Sequence, residues 1–493
     1  MLDLLRSISY YHFIASAALA WLLLIVYRLT LHPLAKFPGP RLAAISSFYY
    51  AYWIFIGRLP QHCEYLFSKY DTQALRIAPN QLLFRSPQSL KDVTGRYHGV
   101  YRGNFTFRLL GFTSVTVSNI IDPAEHRRKR KLMNPGFSAT TLAKQEPVLI
   151  RPMVDKLIEK IAEAEGKPID VCNYFDCVTT DTIGKLSFGA DFSMLDKPND
   201  HEFLHVLPDA LKVSVIAQSI PEIFRFLQKV YQYGPKFLTP KSLRGVADFA
   251  ALHMRERAER DANGTAEDRA DIMSIIMDGA KDVKDEPVKM SRREVIGEAT
   301  VLVAAGGDTV ATALSGIMWH LGTHEDILNE LQEQIRDTFS TFEAIDSKTV
   351  MSNTPLVDAV INESLRLTPP GMGPNWRRTS KSITVDGHVV PAETEVGISR
   401  MSLFRNKDQI HKANEFIPNR FMQNMGDNLE GCQPFGIGPR SCPGRFLAMV
   451  EMRLILTKLL WKFNWKLITK EFDNPDYVVL YRAPLFFKAT PRL

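Results

Sequence analysis

The hydrophobic pattern begins with one uninterrupted block. From Ser7 to Tyr27 no residue carries a formal charge, and Phe13–Val26 is almost wholly apolar. About 20 such residues span a bilayer as a helix. Tyr10, Tyr11 and Tyr27 lie near the two ends, where amphipathic rings prefer the interface; Arg28, Lys36 and Arg41 follow the block and only Arg6 precedes it. That bias places the rest of the chain in the cytosol. The residues after the block, Tyr27-Arg28-Leu29, are not the small ones of a cleavage site, which favours a retained anchor over a signal peptide.

The prolines of the stretch from His32 to Arg41 predict a stiff, extended hinge. Two strand-like runs, 75–78 and 81–84, flank the turn Pro79-Asn80, and a second hairpin is predicted at 382–385 and 388–390 around Asp386-Gly387. The region from Gly95 to Ile121 lacks a clear period and reads as loop. Asp122-Pro123 then opens a helix that places His126 and Arg130 on one face. From about Thr140 to Ala280 the pattern is mostly helical, with breaks at Gly234-Pro235 and Ala262-Asn263-Gly264. An aromatic patch, Phe224, Phe226, Tyr231 and Tyr233, precedes the first break.

Ser291-Arg292-Arg293-Glu294 is a capping box. It launches a helix to about Leu321 that is apolar nearly all round and should cross the core. Adjacent Gly306 and Gly307 in its interior cost about 1 kcal/mol each against alanine, which predicts a groove or distortion beside Asp308 and Thr309. A further helix, 356–367, carries Glu363 and Arg366 and ends before Pro369. The C-terminal part reads as loop up to Cys442 and as helix after it. These elements predict a mainly α chain with small sheets.

Composition adds limits. With 45% hydrophobic and 23% charged residues the chain is an ordinary globular one. A net charge of +6 over 493 residues, dispersed apart from Arg127-Arg128-Lys129-Arg130-Lys131, argues against a nucleic-acid binder. Five widely spaced cysteines, at 63, 172, 177, 432 and 442, do not form a disulfide framework and suit a reducing compartment.

One cysteine stands apart. Cys442 is enclosed by Gly436, Gly438 and Gly444 and by Pro439 and Pro443, preceded by Arg440 and followed by a helix-forming run. Such a loop holds a thiol forward, and the arginine and helix N-terminus favour its thiolate.

The pattern Phe435-x-x-Gly438-x-Arg440-x-Cys442-x-Gly444 resembles the haem-binding signature of the cytochrome P-450 family at every fixed position. Three further motifs occur in the order that family requires: Gly306-Gly307-Asp308-Thr309, Glu363-x-x-Arg366, and Phe416-x-Pro418-x-Arg420-Phe421. Val310 departs from a frequent Thr or Ser, and His126 from a frequent Trp. The details look most like fungal microsomal members of specialised metabolism.

The resemblance implies a single haem domain (44–493) behind an anchor (1–31) and a hinge (32–43). It implies haem b, with Cys442 as the axial ligand of the iron and Phe435 and Gly444 shaping its loop. Arg440, Arg130, His126 and Arg377 would hold the propionates, with Arg378 as the rival of Arg377. Thr309 and Asp308 would deliver protons to bound dioxygen, and Glu363, Arg366 and Arg420 would form a structural ion-pair triad.

The implied partners are dioxygen, an NADPH-dependent flavoprotein reductase, a lipophilic small molecule and the endoplasmic reticulum membrane, with no nucleic acid. The basic cluster 127–131 would help to dock the reductase. By resemblance, substrate contacts come from 95–121, 220–238, 301–305, 371–376 and 477–481. The activity this resemblance implies is insertion of one atom of dioxygen into the lipophilic molecule, as hydroxylation or epoxidation. Two rival classes remain open at this point: a haem-thiolate isomerase or dehydratase, disfavoured by Asp308 and Thr309, and a non-catalytic membrane-anchored binding protein.

Overall fold

A computed structural model of the chain describes residues 2–95, 99–102, 116–198, 202–220, 226, 229–230, 240–263, 271–278, 290–477 and 479–492. The apolar N-terminal block forms helix α1 (Leu2–Val26), which runs into one π-helical turn, Tyr27–Leu31. Both α1 and the central core helix are long and apolar enough to cross a membrane. The core helix is mostly buried in the body and the α1 segment is not, so α1 is the candidate membrane anchor.

The proline-rich stretch is not a free spacer. Leu34 and Phe37 are buried in an apolar cluster with Leu82, Phe84 and Val396. Arg76 donates its backbone N–H to Pro38 and its guanidinium to the Arg28 carbonyl. These contacts strap the start of the body to its first sheet.

Helix α2 (Phe48–Phe55) precedes the predicted hairpin, β1 (Ala74–Ala78) and β2 (Gln81–Phe84). Within the expected loop 95–121, residues Val100–Arg102 form strand β3, while 96–98 and 103–115 fall outside the described residues. Helix α3 (Pro123–Met133) starts where Asp122 accepts the Ala124 and Glu125 N–H groups. Strand β4 (Pro168–Asp170) interrupts the helical middle region and leads into α4 (Val171–Phe188). Helices α5 (Glu202–Gln218) and α6 (Lys241–Ala262) follow. Of the aromatic patch only Phe226 is described, and it is exposed; Phe224, Tyr231, Tyr233 and the Gly234-Pro235 break lie outside the described residues.

Helix α7 (Arg292–Thr323) begins with the Ser291/Glu294 capping box and runs unbroken past both glycines. The predicted distortion is absent, and packing supplies the reason. A Cβ on Gly306 would lie 2.7 Å from Ile183 and one on Gly307 would lie 2.9 Å from the Thr180 hydroxyl. The glycines allow α4 to approach α7 closely, and α6, α8 (Pro355–Leu367) and α9 (Arg445–Lys462) cover other parts of the helix. This all-round cover explains its apolar circumference.

Strands β5 (Arg377–Thr379), β6 (Ile383–Val385), β7 (His388–Val390) and β8 (Glu395–Ile398) follow α8. The predicted β6–β7 hairpin turns through Asp386 and Gly387, both at positive φ. A five-stranded sheet runs β1-β2-β8-β5-β3, with β2 and β8 parallel. After α9 come β9 (Phe463–Leu467), the short pair β10 (Asp476–Tyr477) and β11 (Val479–Leu480), and β12 (Phe486–Pro491). Strands β4, β12 and β9 make a second sheet. The expected class, mainly helical with small sheets, is the observed one.

Candidate active site

The cysteine loop is built by backbone geometry that its sequence makes possible. Gly436 and Gly438 sit at φ of 69° and 76°, and a Cβ on Gly438 would fall 2.1 Å from the Thr94 carbonyl oxygen. Only glycine fits there. The Cys442 N–H donates to the Phe435 carbonyl at 2.8 Å, and Ser441 N–H to Gly438 at 3.1 Å, closing the loop just before Gly444 opens α9.

Burial pushes the Cys442 thiol up, while the Gly444 N–H, Arg130 and Arg400 act in the opposite sense. Although protein surrounds it, its accessible surface opens on an internal cavity. Of the other cysteines, Cys63, Cys172 and Cys177 are buried and Cys432 is half-buried. Burial alone raises Cys63, burial dominates at Cys177, and Cys172 and Cys432 are pushed up to about 12. None of the five is in a disulfide.

The cavity measures about 520 Å³ and is lined mainly by apolar side chains. Cys442 and Leu447 lie on one side; Ala304, Ala305 and Thr309 come from α7. Of the segments expected to touch substrate, 301–305, 371–376 and Val479 contribute to the lining, as do Val117 and Ser118. Most of 220–238 lies outside the described residues.

Cationic groups converge on the same space. Arg130 donates to the Ser441 carbonyl at 2.9 Å, and Arg440 to Ile121 at 3.3 Å. Arg377 donates to Asn375 and Trp376 at 3.2 and 3.1 Å. His126 is buried in the wall, and all four residues line the cavity. Arg378 instead pairs with Glu393 at the surface. Arg400, which no motif marked, also lines the cavity and donates to the Gly371 carbonyl at 2.9 Å. It follows β8, a strand that went unpredicted, so nothing in the spacing announced it.

The basic cluster is less outward-facing than its composition implies. Lys129 is buried against Glu294 and Glu298, Arg128 pairs with Glu125 and Glu294, and Arg130 serves the cysteine loop. Arg127 and Lys131 are the exposed members.

Asp308 and Thr309 part company. Thr309 lines the cavity and its hydroxyl donates to the Ala305 carbonyl at 2.7 Å. Asp308 is outside the lining and accepts from Arg482 at 2.7 Å, and the same guanidinium donates to Asp176 on α4 at 2.6 Å. Burial raises both carboxyls and Arg482 opposes it, leaving Asp176 at about 6. Sequence reasoning named neither Arg482 nor Asp176, because one guanidinium joining two distant helices leaves no local pattern.

Glu363 lies between Arg366, bidentate at 2.7 Å for each bond, and Arg420 at 3.0 Å, and it also accepts the Ile417 N–H. Asp427 is a fourth member, paired with Arg420. Arg366 spends its remaining donors on the carbonyls of Phe404, Ala413 and Glu415. The side chains of the cluster are buried, and Arg366 meets the cavity wall through the carbonyl of Phe404, a lining residue.

Among the described residues no three His, Cys, Asp or Glu side chains group as a metal site. A flat dianionic group with a central iron fits the donor set: a thiol faced by the Gly444 N–H, Arg130 and Arg400, and several cationic side chains around one apolar cavity. This donor set fits a haem-thiolate centre.

The chain belongs to the cytochrome P450 family, whose family model, "Cytochrome P450", matches residues 57–486. It is 33% identical to an averantin hydroxylase of Aspergillus parasiticus over 95% of this chain and 94% of that protein. It is 32% identical to an averantin hydroxylase of Dothistroma septosporum, covering 97% and 90%. It is also 32% identical to the cytochrome P450 monooxygenase ORF9 of Penicillium roqueforti, covering 93% and 89%. The protein is a haem b-dependent monooxygenase that uses dioxygen and a redox partner to oxidise a small molecule.

Proposed function

We propose that this protein hydroxylates a lipophilic intermediate of fungal specialised metabolism at the endoplasmic reticulum membrane, fed by an NADPH-dependent flavoprotein reductase. Residues 1–31 anchor it, 32–43 link anchor to body, and 44–493 form the haem domain. The observation that carries this reading is the apolar cavity with Cys442 on one wall and Thr309 on another.

In this reading the Cys442 thiolate would hold the haem iron, in a loop shaped by Phe435 and Gly444. Arg130, Arg377, Arg440 and His126, with Arg400 added, would hold its carboxylates. Bound haem supplies reductive dioxygen activation, which a thiolate ligand favours by donating electron density. Thr309 passes protons at its Oγ1 after leaving the Ala305 carbonyl, and Asp308 replenishes them from the Arg482–Asp176 side. The apolar lining excludes bulk water and retains the substrate. Glu363, Arg366 and Arg420 are structural.

The test is product analysis in microsomes that contain the full chain and a reductase, with isotopic dioxygen. One labelled oxygen atom in an NADPH-dependent product supports the proposal. Turnover of a substrate without NADPH or dioxygen would replace it with the isomerase or dehydratase reading.

A further inference from the structure

The polar side chains of the cavity wall divide sharply by whether they have a partner. Away from the cysteine loop and α9, Tyr50 accepts from Trp376 at 3.0 Å and Asp476 accepts the Met372 N–H at 2.8 Å. Ser118 bonds Thr116 at 2.9 Å, and Thr309, Asn375 and Arg400 are engaged as described. Two residues on α5 differ. Gln218 and Ser214 line the same cavity at 6% and 3% exposure, with neither side chain bonded to another described residue, and the Ser214 hydroxyl is itself inaccessible.

They are four apart, so they sit one above the other on a single face of α5, beside the apolar lining residues Leu211 and Val215. Buried polar groups in native proteins are nearly always satisfied, and an orphan amide or hydroxyl costs about 1–3 kcal/mol. On one cavity-lining face of α5, a carboxamide without a protein partner and, one turn away, a buried orphan hydroxyl point to a ligand that supplies the missing partner. Helix α5 packs on α2 and β10, whereas Cys442 is presented by the loop ahead of α9. The subsite is thus on a different wall from the thiol.

We infer that Gln218, with Ser214 beside it, is a specificity-determining subsite for a neutral oxygen function of the substrate, a hydroxyl or carbonyl remote from the carbon that is oxidised. The carboxamide both donates and accepts, so it suits an uncharged alcohol, phenol or ketone, and it gives no compensation to a carboxylate. The preferred substrate is then a largely apolar molecule with one polar end, held by that end against α5. This rests on the haem-thiolate reading of the cavity. Sequence could not reveal it, because a Ser and a Gln at helical spacing are commonplace.

The test uses 1-alkylimidazoles and ω-(imidazol-1-yl)alkanols of matched chain length, titrated into the haem-loaded full chain and followed in the Soret band. The imidazole fixes one end on iron and the chain carries the hydroxyl across the cavity. The inference predicts one window of chain lengths in which the alcohol binds roughly 3- to 10-fold more tightly than its alkyl partner. Gln218→Leu should abolish that preference, with alkylimidazole affinity unchanged or improved, and Ser214→Ala should weaken it. Equal affinities of alcohol and alkyl probes at every length, or a preference that survives Gln218→Leu, overturns the subsite. Absence of any Soret response to all imidazoles overturns the haem reading beneath it.

Discussion

Arg482 donates to Asp308 at 2.7 Å and so holds that carboxylate on the α4 side of α7, while the adjacent Thr309 faces the cavity. Both partners are nearly inaccessible, and the guanidinium shares itself with Asp176. Removing one member of such a cluster leaves buried charge uncompensated, at a cost of about 3–5 kcal/mol. Arg482→Leu is therefore expected to lower the thermal midpoint markedly, with Arg482→Lys in between. Calorimetry of the haem-loaded protein checks this, and an unchanged midpoint for the leucine variant would show that the cluster stabilises nothing.

Thr309→Ala removes the one hydroxyl that α7 presents to the cavity beside Ala305. The expected result is continued NADPH consumption with product yield per NADPH reduced roughly tenfold or more, since a positioned proton donor commonly contributes 10²–10⁴-fold. Stoichiometry of NADPH, peroxide and product decides; unchanged coupling would exclude Thr309 from proton delivery.

Glu451 lies on α9, is 2% exposed, and its buried Oε2 has no hydrogen-bond partner among the described residues; burial pushes its carboxyl from 4.5 up to about 8. A carboxyl raised on folding binds its proton more tightly in the folded than in the unfolded chain. Its stabilising contribution is full below about pH 4.5 and is lost as pH rises toward 8. Glu451→Gln should flatten the fall in thermal midpoint between pH 5 and 8 and leave the variant at least as stable at pH 8. Parallel pH slopes for the two proteins would mean that Glu451 does not titrate in this window.

Gly438→Ala should cost haem. Its φ is 76°, and the added Cβ would overlap the Thr94 carbonyl, so the cysteine loop has to shift. The ratio of Soret to protein absorbance after purification reads the loss. Full haem occupancy would show that the loop adapts.

Local signals were legible and distant pairings were not. The Asp122 cap, the Ser291/Glu294 box, the two hairpin turns and the cysteine loop each depend on neighbours within a few residues, and each appears where its residues place it. The parallel pairing of β2 with β8 and the joining of β4 to β12 depend on chain segments hundreds of residues apart. For the same reason the site was half visible. Cys442 and the cations of the motifs could be named, but Arg400 follows an unpredicted strand, and Arg482 and Gln218 matter only through what packs around them. The glycine pair was legible in part: the groove it implied exists, as the close contact of α7 with Thr180 and Ile183, and the alternative, a distorted helix, does not.

The most direct measurement is the carbon monoxide difference spectrum of the reduced protein, wild type beside Cys442→Ser. Thiolate ligation by Cys442 requires a thiolate-type Soret band in the wild type and its absence in the variant. A wild type without that band, or a serine variant that keeps it, would contradict Cys442 as the axial ligand.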